Sequence, residues 1–144
     1  TLSDVDGIIL PDLPLEEAKE FCGMSKASKI SPILLVAPNS SEERIKKISE
    51  LAGDLIYAVS ILGITGNELS SKTKLEKYLN RVRESSQTPF VVGFGISTRE
   101  DVKWFNKHSD GAVVGSAIIE KLTTSRENKL SIKNYLRSLK GKID

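Results

Sequence analysis

Short apolar runs alternate with amphipathic segments along the whole chain. Five runs, at 8–10, 32–37, 55–60, 90–93 and 112–114, are rich in β-branched residues and are bounded by Pro, Gly or Ser. Runs of this kind are typical of strands buried on both faces of a parallel sheet. The segments between them carry apolar residues at spacings of three and four, which predicts helices. Each connection is long enough for a right-handed βαβ unit, so the pattern indicates an α/β fold.

Polar residues mark where three of these helices begin. Pro14 is predicted in the first turn of the first helix, where a proline loses no hydrogen bond. Ser40 with Glu43 three residues later has the spacing of a capping box, and Ser97 with Glu100 repeats it. Between the third strand and its helix, the glycine-bearing and serine-rich stretch 61–71 is predicted to be a long loop.

Two architectures fit the alternation, an open doubly wound sheet and part of a barrel. The segment Gly93-Phe94-Gly95 lacks the third glycine of the dinucleotide-binding fingerprint and comes late in the chain. Two late strands that end in glycine, followed by a short helix at Gly115-Ser116, instead match the phosphate site of barrels. We therefore predict a partial (β/α)8 TIM barrel of five parallel β/α units, with 1–144 as a single domain and three units expected on the N-terminal side.

Composition narrows the function classes. The 144 residues are 39% hydrophobic, with a net charge of +2 and Lys and Arg scattered between acids, which argues against a nucleic-acid surface. The sequence shows neither an apolar stretch of bilayer length nor a signal peptide, so a cytoplasmic location is expected. Cys22 is predicted to be a small buried hydrophobe, and His108 a surface residue at the end of the sheet opposite the site. No Cys/His cluster predicts a metal.

Backbone groups are the candidate binding elements. The N–H groups of Gly95, Gly115 and Ser116, each expected to have a helix just beyond, would form an anion site. Each glycine has a second interpretation, a tight turn that needs positive φ. Asp12 either orients polar groups at the end of its strand or caps the helix after Leu13. The loop 61–71 has the composition of a lid that closes over a ligand.

Four segments in order resemble the tryptophan synthase α subunit family, and the resemblance extends over essentially the whole chain. The phosphate segments alone are shared with other barrels, and it is the second segment together with Asp12-Leu13-Pro14 that narrows the resemblance to this family. The segments are Asp6-Gly7-Ile8-Ile9-Leu10-Pro11-Asp12-Leu13-Pro14, Ser60 with Gly63-Ile64-Thr65-Gly66, Gly93-Phe94-Gly95-Ile96-Ser97, and Val114-Gly115-Ser116-Ala117-Ile118.

The resemblance implies that the chain corresponds to strands four to eight of the family's barrel. The family cleaves indole-3-glycerol phosphate to indole and glyceraldehyde 3-phosphate and passes indole to a pyridoxal-phosphate-dependent β subunit in a heterotetramer. Its catalytic glutamate and aspartate would lie upstream of Thr1, so no catalytic residue is assigned here and this chain alone is expected to be inactive. No cofactor is expected on this chain. The implied location is the cytoplasm, or a plastid in a eukaryote.

The resemblance also assigns roles residue by residue. The sequence departs from the family at Ile61-Leu62, because these positions are often polar in the family. The departure affects the contacts expected of the lid. Thr65 matches a lid residue that engages the catalytic aspartate, and Pro14 matches the surface that meets the β subunit. Asp12, as a carboxylate at a strand end, is expected to support the site. The phosphate positions are Gly66, Gly95, Gly115 and Ser116, and the indole pocket positions, which by pattern alone are ordinary barrel-core residues, are Ile9, Tyr57, Val59, Phe94 and Val113.

Two other hypotheses stay open at this point. One is a segment of a different phosphate-binding barrel, such as a ribulose-phosphate epimerase or indole-glycerol-phosphate synthase relative, whose metal ligands or lysines at strand ends are not found here. The other is a non-catalytic half-barrel that assembles with another chain through exposed strand edges.

Overall fold

A computed structural model describes residues 4–60, 68–124 and 129–141. It contains five strands that alternate with helices and are followed by a sixth helix. The strands are β1 (Gly7–Ile9), β2 (Ser31–Val36), β3 (Ile56–Val59), β4 (Phe90–Gly93) and β5 (Gly111–Val113). The helices are α1 (Leu15–Ala27), α2 (Glu42–Leu51), α3 (Glu68–Ser85), α4 (Arg99–His108), α5 (Ser116–Thr124) and α6 (Lys129–Lys140).

The strands form one parallel sheet in the order β1-β2-β3-β4-β5. Every crossover therefore steps the same way along the sheet. Because parallel crossovers are right-handed, helices α1 to α4 fall on one face. A doubly wound sheet reverses its strand order and carries helices on both faces. The sequential order is that of a barrel wall, and the predicted α/β fold with five parallel units is confirmed.

The hydrophobic core lies between the sheet and its helices. Strand residues alternate between fully buried and partly exposed, as in the run Ser31–Val36. The buried set packs against helix side chains such as Ile45, Leu79 and Phe105. The residues of the opposite, inner face stay partly exposed. In a closed barrel that face is filled by side chains from the other strands.

Strand pairing brings the inner-face side chains into rows. Leu35 pairs with Tyr57, and Tyr57 with Val91. One pleat higher, Val59 pairs with Gly93, and Gly93 with Val113. This upper row lies at the carboxyl ends of β3, β4 and β5, where barrel enzymes place their sites.

The helix starts depart from the sequence predictions. Helix α2 is capped by Ser41, whose hydroxyl accepts from the N–H of Arg44, so the predicted box of Ser40 and Glu43 is wrong by one residue. Ser40 instead accepts from the N–H of Ala37 in the preceding turn. Pro14 stands one position before the first helical residue of α1 rather than inside the first turn. For α2, the sequence offers the adjacent serines Ser40 and Ser41, and the structure uses Ser41 as the cap.

The predicted loop 61–71 is shorter than expected, because α3 already begins at Glu68. Serine does not stop a helix when the following residues favour one, so Ser70 and Ser71 are helical. Residues 61–67 lie outside the described part of the chain. Within that part, no helix combines the length and apolar character needed to cross a membrane.

Two predictions about single residues have mixed outcomes. Cys22 is buried in the core, as expected, and burial raises the pKa of its thiol. His108 is half-buried rather than a plain surface residue, because its ring lies 4.4 Å from that of Trp104. It does lie before β5, at the end of the sheet opposite the upper row.

Candidate functional site

A cavity of about 310 Å³ opens at the carboxyl ends of β3, β4 and β5. It brings together six of the predicted site residues: Tyr57, Phe94, Gly95, Val113, Gly115 and Ser116. The remaining lining residues are Ile96, Ser97, Ala117 and Glu120. The cavity thus has an apolar side formed by ring and branched side chains and a polar side formed by backbone and Ser116.

The apolar side is built from two rings and a valine. Tyr57 and Phe94 meet edge to face, with ring centroids 6.2 Å apart and planes at 85°. Phe94 is 59% exposed and Val113 36% exposed, so apolar surface is presented to the cavity mouth. Burial raises the pKa of Tyr57, which keeps its hydroxyl protonated at neutral pH. Such a surface suits a planar aromatic group.

The turn after β4 is strained and is held by one buried serine. Phe94 has φ of 88° and Gly95 has φ of 71°. A bulky residue rarely adopts positive φ, and it persists only where its surroundings fix it. Ser60, fully buried, directs its hydroxyl at the carbonyls of Gly93 (2.8 Å) and Phe94 (2.9 Å). Gly95 therefore has the positive φ of the turn interpretation. Its role as a phosphate donor, which such a turn allows, stays a prediction.

Helix α4 satisfies its own N-terminus. The carboxylate of Asp101 accepts from the N–H groups of Ser97 (3.2 Å) and Thr98 (2.9 Å), and the Thr98 hydroxyl accepts from the N–H of Asp101 (3.1 Å). Burial opposes ionisation of Asp101, but hydrogen bonds from Thr98 and Ser97 outweigh it and hold the carboxyl pKa below its usual value.

Two sequence predictions about this segment are wrong. The capping box consists of Thr98 and Asp101, not Ser97 and Glu100, so the prediction is displaced by one residue. Helix α4 begins at Arg99, four residues beyond Gly95, and the N–H groups just before it, those of Ser97 and Thr98, are already engaged by Asp101. Gly95 therefore does not stand at an open helix N-terminus.

Helix α5 presents the open N-terminus. The N–H groups of Ile118 and Ile119 both donate to the carbonyl of Gly115, at 2.9 and 3.2 Å. The N–H groups of Ser116 and Ala117 come before these bonds, and no backbone hydrogen bond between described residues engages them. Gly115 and Ser116 are exposed, and nothing lies within 4 Å of a Cβ built on Gly115. An anion placed here gains from unpaired donors and from the helix dipole.

The other predicted residues lie apart from this cavity. Val59 is on the same face as Tyr57 but lines a separate cavity of about 530 Å³ above β1 and β2. Ile9 is 41% exposed on β1, at the far edge of the sheet. Gly66 and Thr65 fall outside the described residues. The cavity thus gathers three of the five predicted indole-pocket residues.

Asp12 and Pro14 lie in the turn between β1 and α1. No side chain caps α1, so the interpretation of Asp12 as a helix cap is wrong. Asp12 is exposed at the carboxyl end of β1, and a supporting role there stays a prediction. Pro14 is exposed at the start of α1, on the surface next to that turn.

Sequence reasoning missed three residues that hold this site. Ser60 follows an apolar strand directly, and a buried polar residue in that position was a usable signal. Asp101 stands three residues after Thr98, which is capping spacing that the preceding Ser97 obscured. Tyr135 of α6 donates to the carbonyl of Ser97 at 2.7 Å across 38 positions, and nothing local in the sequence could indicate that contact.

Comparisons with known proteins point to one family. The family model described as tryptophan synthase alpha chain matches residues 2–143. A tryptophan synthase alpha chain of Petrotoga mobilis is 41% identical over 140 residues, which is 94% of this chain and 54% of the relative. The corresponding protein of Methanocaldococcus jannaschii is 44% identical over 116 residues, covering 81% of this chain and 41% of the relative.

Solved structures give the same result. A structure of the tryptophan synthase α2β2 complex of Pyrococcus furiosus superposes with a TM-score of 0.83 at 34% identity, covering 95% of this chain and 56% of that one. A second structure of the complex from the same organism gives a TM-score of 0.82 at 32% identity, covering 96% of this chain and 55% of that one. The chain therefore spans about half the length of the curated relatives that it matches.

Proposed function

The chain belongs to the tryptophan synthase alpha chain family, and from that premise we propose that it supplies part of a site that cleaves indole-3-glycerol phosphate to indole and glyceraldehyde 3-phosphate. It contributes the phosphate-binding residues and one side of the indole pocket. The observation that carries the proposal is the cavity of about 310 Å³, in which an open helix N-terminus faces an apolar wall.

The polar end of the cavity fits a phosphate group. Ser116 offers both an N–H group and a hydroxyl at the first position of α5, and Gly115 leaves room for close approach. Gly95 contributes from the opposite wall. Because a phosphate is both a strong acceptor and an anion, it gains from the donors and from the dipole together. Gly66 is proposed as a fourth contact, on the family resemblance alone.

The apolar end fits an indole ring. Tyr57, Phe94 and Val113 line the same cavity as the phosphate donors, so one elongated ligand can reach both ends. A cavity of this size is at the lower limit for small-ligand sites. We propose that Val59 and Ile9, which lie on the same face of the sheet, contact the ligand only where further strands narrow the site.

Cleavage needs an acid that protonates the indole ring carbon and a base that takes a proton from the glycerol hydroxyl. Among the described residues, the carboxylate that lines the cavity is Glu120, one turn along α5 from Ser116 and next to the phosphate end. On the family resemblance, we propose that both proton-transfer groups lie outside these 144 residues. Thr65 and Asp12 are proposed to support them. The chain alone is expected to bind but not to turn over.

The proposed partner is a tryptophan synthase β subunit, in a heterotetramer. The Pyrococcus furiosus structures of similar sequence are of such a complex, which supports the proposal. Pro14 is exposed at the start of α1 and is proposed to contact that subunit. We propose no cofactor on this chain, with pyridoxal phosphate belonging to the β subunit. We propose that the protein acts in the cytoplasm, or in a plastid in a eukaryote.

Calorimetric titration with indole-3-propanol phosphate, inorganic phosphate and indole tests the two-ended site. We expect the joined compound to bind more tightly than either piece, because one cavity holds both groups. An assay of indole release from indole-3-glycerol phosphate should show no turnover by the 144-residue chain. Equal affinity for the joined compound and for phosphate would remove the indole pocket from the proposal, and measurable turnover would contradict the assignment of the carboxylates.

The uncovered inner face favours a second role, assembly with another polypeptide. Within the described residues, strands β1 and β5 are each paired on one side only, and Ile9 and Val113 are exposed on the face that none of helices α1 to α4 covers. Exposed edges and apolar faces promote association. Sedimentation velocity of the purified chain should therefore show association that grows with concentration. A monomer over the whole concentration range would contradict this role.

A further inference from the structure

The two walls of the cavity come from separate connections. One wall is the turn 94–97 after β4, and the other is the start of α5 after β5. The ladder that joins these strands ends where Gly93 pairs with Val113. Beyond that pair, no backbone hydrogen bond among the described residues links the two walls. The width of the cavity therefore depends on contacts from elsewhere.

Helix α6 supplies such a contact through Tyr135. Its hydroxyl donates to the carbonyl of Ser97 at 2.7 Å, which ties α6 to the first wall. The Lys121 ammonium of α5 lies 5.9 Å from the centroid of the same ring, within the range of cation–π attraction. Helix α6 contacts both α4 and α5. Tyr135 thus bonds to the first wall and faces Lys121, which lies just over one turn beyond Ser116 on the helix that begins at the second wall.

The state of the hydroxyl suits this contact. Burial raises the pKa of Tyr135, and the nearby charges of Glu120 and Asp101 raise it further. The phenol therefore stays protonated at neutral pH and remains a donor to Ser97. Ser97 is held on its other side by Asp101, which accepts from its N–H group. Both backbone groups of Ser97 are thus engaged, and only one of the two bonds is local.

We propose that Tyr135 is a positioning residue of the phosphate cavity, which sets the separation between the turn 94–97 and the N-terminus of α5. This role rests on the proposed phosphate site. Without the hydroxyl, the turn is held only by Ser60 at one end and by Asp101 at the other, and Gly95 and Ile96 between them gain freedom. The phosphate donors of the two walls then meet their ligand less often in the right geometry.

The test compares Tyr135→Phe with a matched control, Tyr78→Phe. Tyr78 is also a helical tyrosine whose hydroxyl donates to a backbone carbonyl, that of Val36 at 2.9 Å, but it is buried away from the cavity. For the 144-residue chain and both variants, inorganic phosphate affinity is measured by calorimetry, and amide hydrogen exchange of Gly95, Ile96 and Ser97 is measured without ligand. Urea unfolding gives the stability of each variant.

We expect Tyr135→Phe to bind phosphate about three- to tenfold more weakly, with faster exchange at 95–97, because one hydrogen bond that fixes the wall is lost. Tyr78→Phe should lose more stability, because the buried carbonyl of Val36 loses its hydroxyl donor. It should nevertheless keep wild-type phosphate affinity. Wild-type phosphate affinity and wild-type exchange in Tyr135→Phe would overturn the positioning role while leaving the phosphate site intact. No phosphate binding by the wild-type chain would overturn the proposed site, and the positioning role with it.

Discussion

The two loops that wall the cavity use their backbone donors in opposite ways. The turn after β4 is closed on itself: Ser60 holds its carbonyls, and Asp101 takes the N–H groups of Ser97 and Thr98. The connection after β5 lacks a carboxylate at the third helical position, and the first N–H groups of α5 at Ser116 and Ala117 meet no backbone partner among the described residues. The turn after β4 is thus capped by a carboxylate of its own helix, while the start of α5 is left for a ligand.

The difference shows that one sequence pattern can produce two kinds of helix N-terminus, one capped by a carboxylate and one without such a cap. Both loops carry a glycine two residues after an apolar strand, Gly95 after β4 and Gly115 after β5, and both precede a helix. A carboxylate at the third helical position occupies the anion site of α4, and α5 has Ile118 at its third position instead. The rigid loop shapes the cavity, and the open helix end supplies its positive potential.

The largest effect is expected when a carboxylate is placed at the N-terminus of α5. Ser116→Asp places a carboxylate at the first position of α5, where it repels a phosphate and occupies the same donors. We expect phosphate affinity to fall at least about tenfold, with the unfolding midpoint unchanged or slightly raised, because acids at this position favour the dipole. Calorimetric titration and thermal unfolding measure the two effects.

Ser116→Ala is the matched control for that variant. It removes one hydroxyl donor but adds no charge, so affinity should fall by only about two- to tenfold. If Ser116→Asp binds phosphate as well as wild type, the open N-terminus of α5 is not the anion site.

The next effect concerns the packed loop. A Cβ at Gly93 would collide with the hydroxyl and ring of Tyr57, so Gly93→Ala should push the ring out of place. Forced overpacking of this kind costs about 1–3 kcal/mol of unfolding free energy. Gly115→Ala has open space around its Cβ and should leave stability almost unchanged. Urea unfolding of both variants provides the measurement, and equal losses would contradict the contrast between the packed and open loops.

A smaller effect is expected at Ser60. Ser60→Ala removes the buried hydroxyl that holds the carbonyls of Gly93 and Phe94, which should cost about 1–2 kcal/mol. Relief of the strained positive φ of Phe94 offsets part of that cost. Nuclear Overhauser contacts between the Phe94 and Tyr57 rings should weaken in the variant. Unchanged contacts together with unchanged stability would show that Ser60 does not hold the turn.

The smallest expected effect is a pH dependence confined to one loop. The folded-state pKa of Asp101 is lowered, so its contribution to stability is present above the unfolded value, about 3.9, and is lost as pH falls through the lower folded value. The amide shifts of Ser97 and Thr98 should follow that titration. The amide of Ser116 should not follow it. A common midpoint for all three amides would indicate global acid unfolding rather than loss of the cap.

Most of the fold could be predicted from the chain because the strand signals are local. The composition of the run Phe90–Gly93 predicts a buried strand. The long segments between successive strands predict parallel pairing. Helix starts were less certain, since Ser40 and Ser41 satisfy the capping pattern equally well and only coordinates separate them. The same ambiguity between neighbours displaced the box at Thr98 by one residue.

The candidate site was predictable only where it depends on backbone near a glycine. Gly115 and Ser116 follow from the strand and helix that flank them. The occupied N-terminus of α4 depends on which way the Asp101 side chain turns, and the contact of Tyr135 with Ser97 depends on how α6 packs. These are tertiary facts that leave no periodic trace in the sequence.

The most direct test of an anion site at the N-terminus of α5 is an amide NMR titration of the 144-residue chain with inorganic phosphate. Saturable shifts are expected at Gly95, Gly115, Ser116 and Ala117, which surround the open end of α5. Small shifts are expected at Thr98, whose N–H group is already bonded to Asp101. Shifts centred on Thr98 with none at Ser116 would place the anion at α4 and contradict the assignment of the anion site to α5.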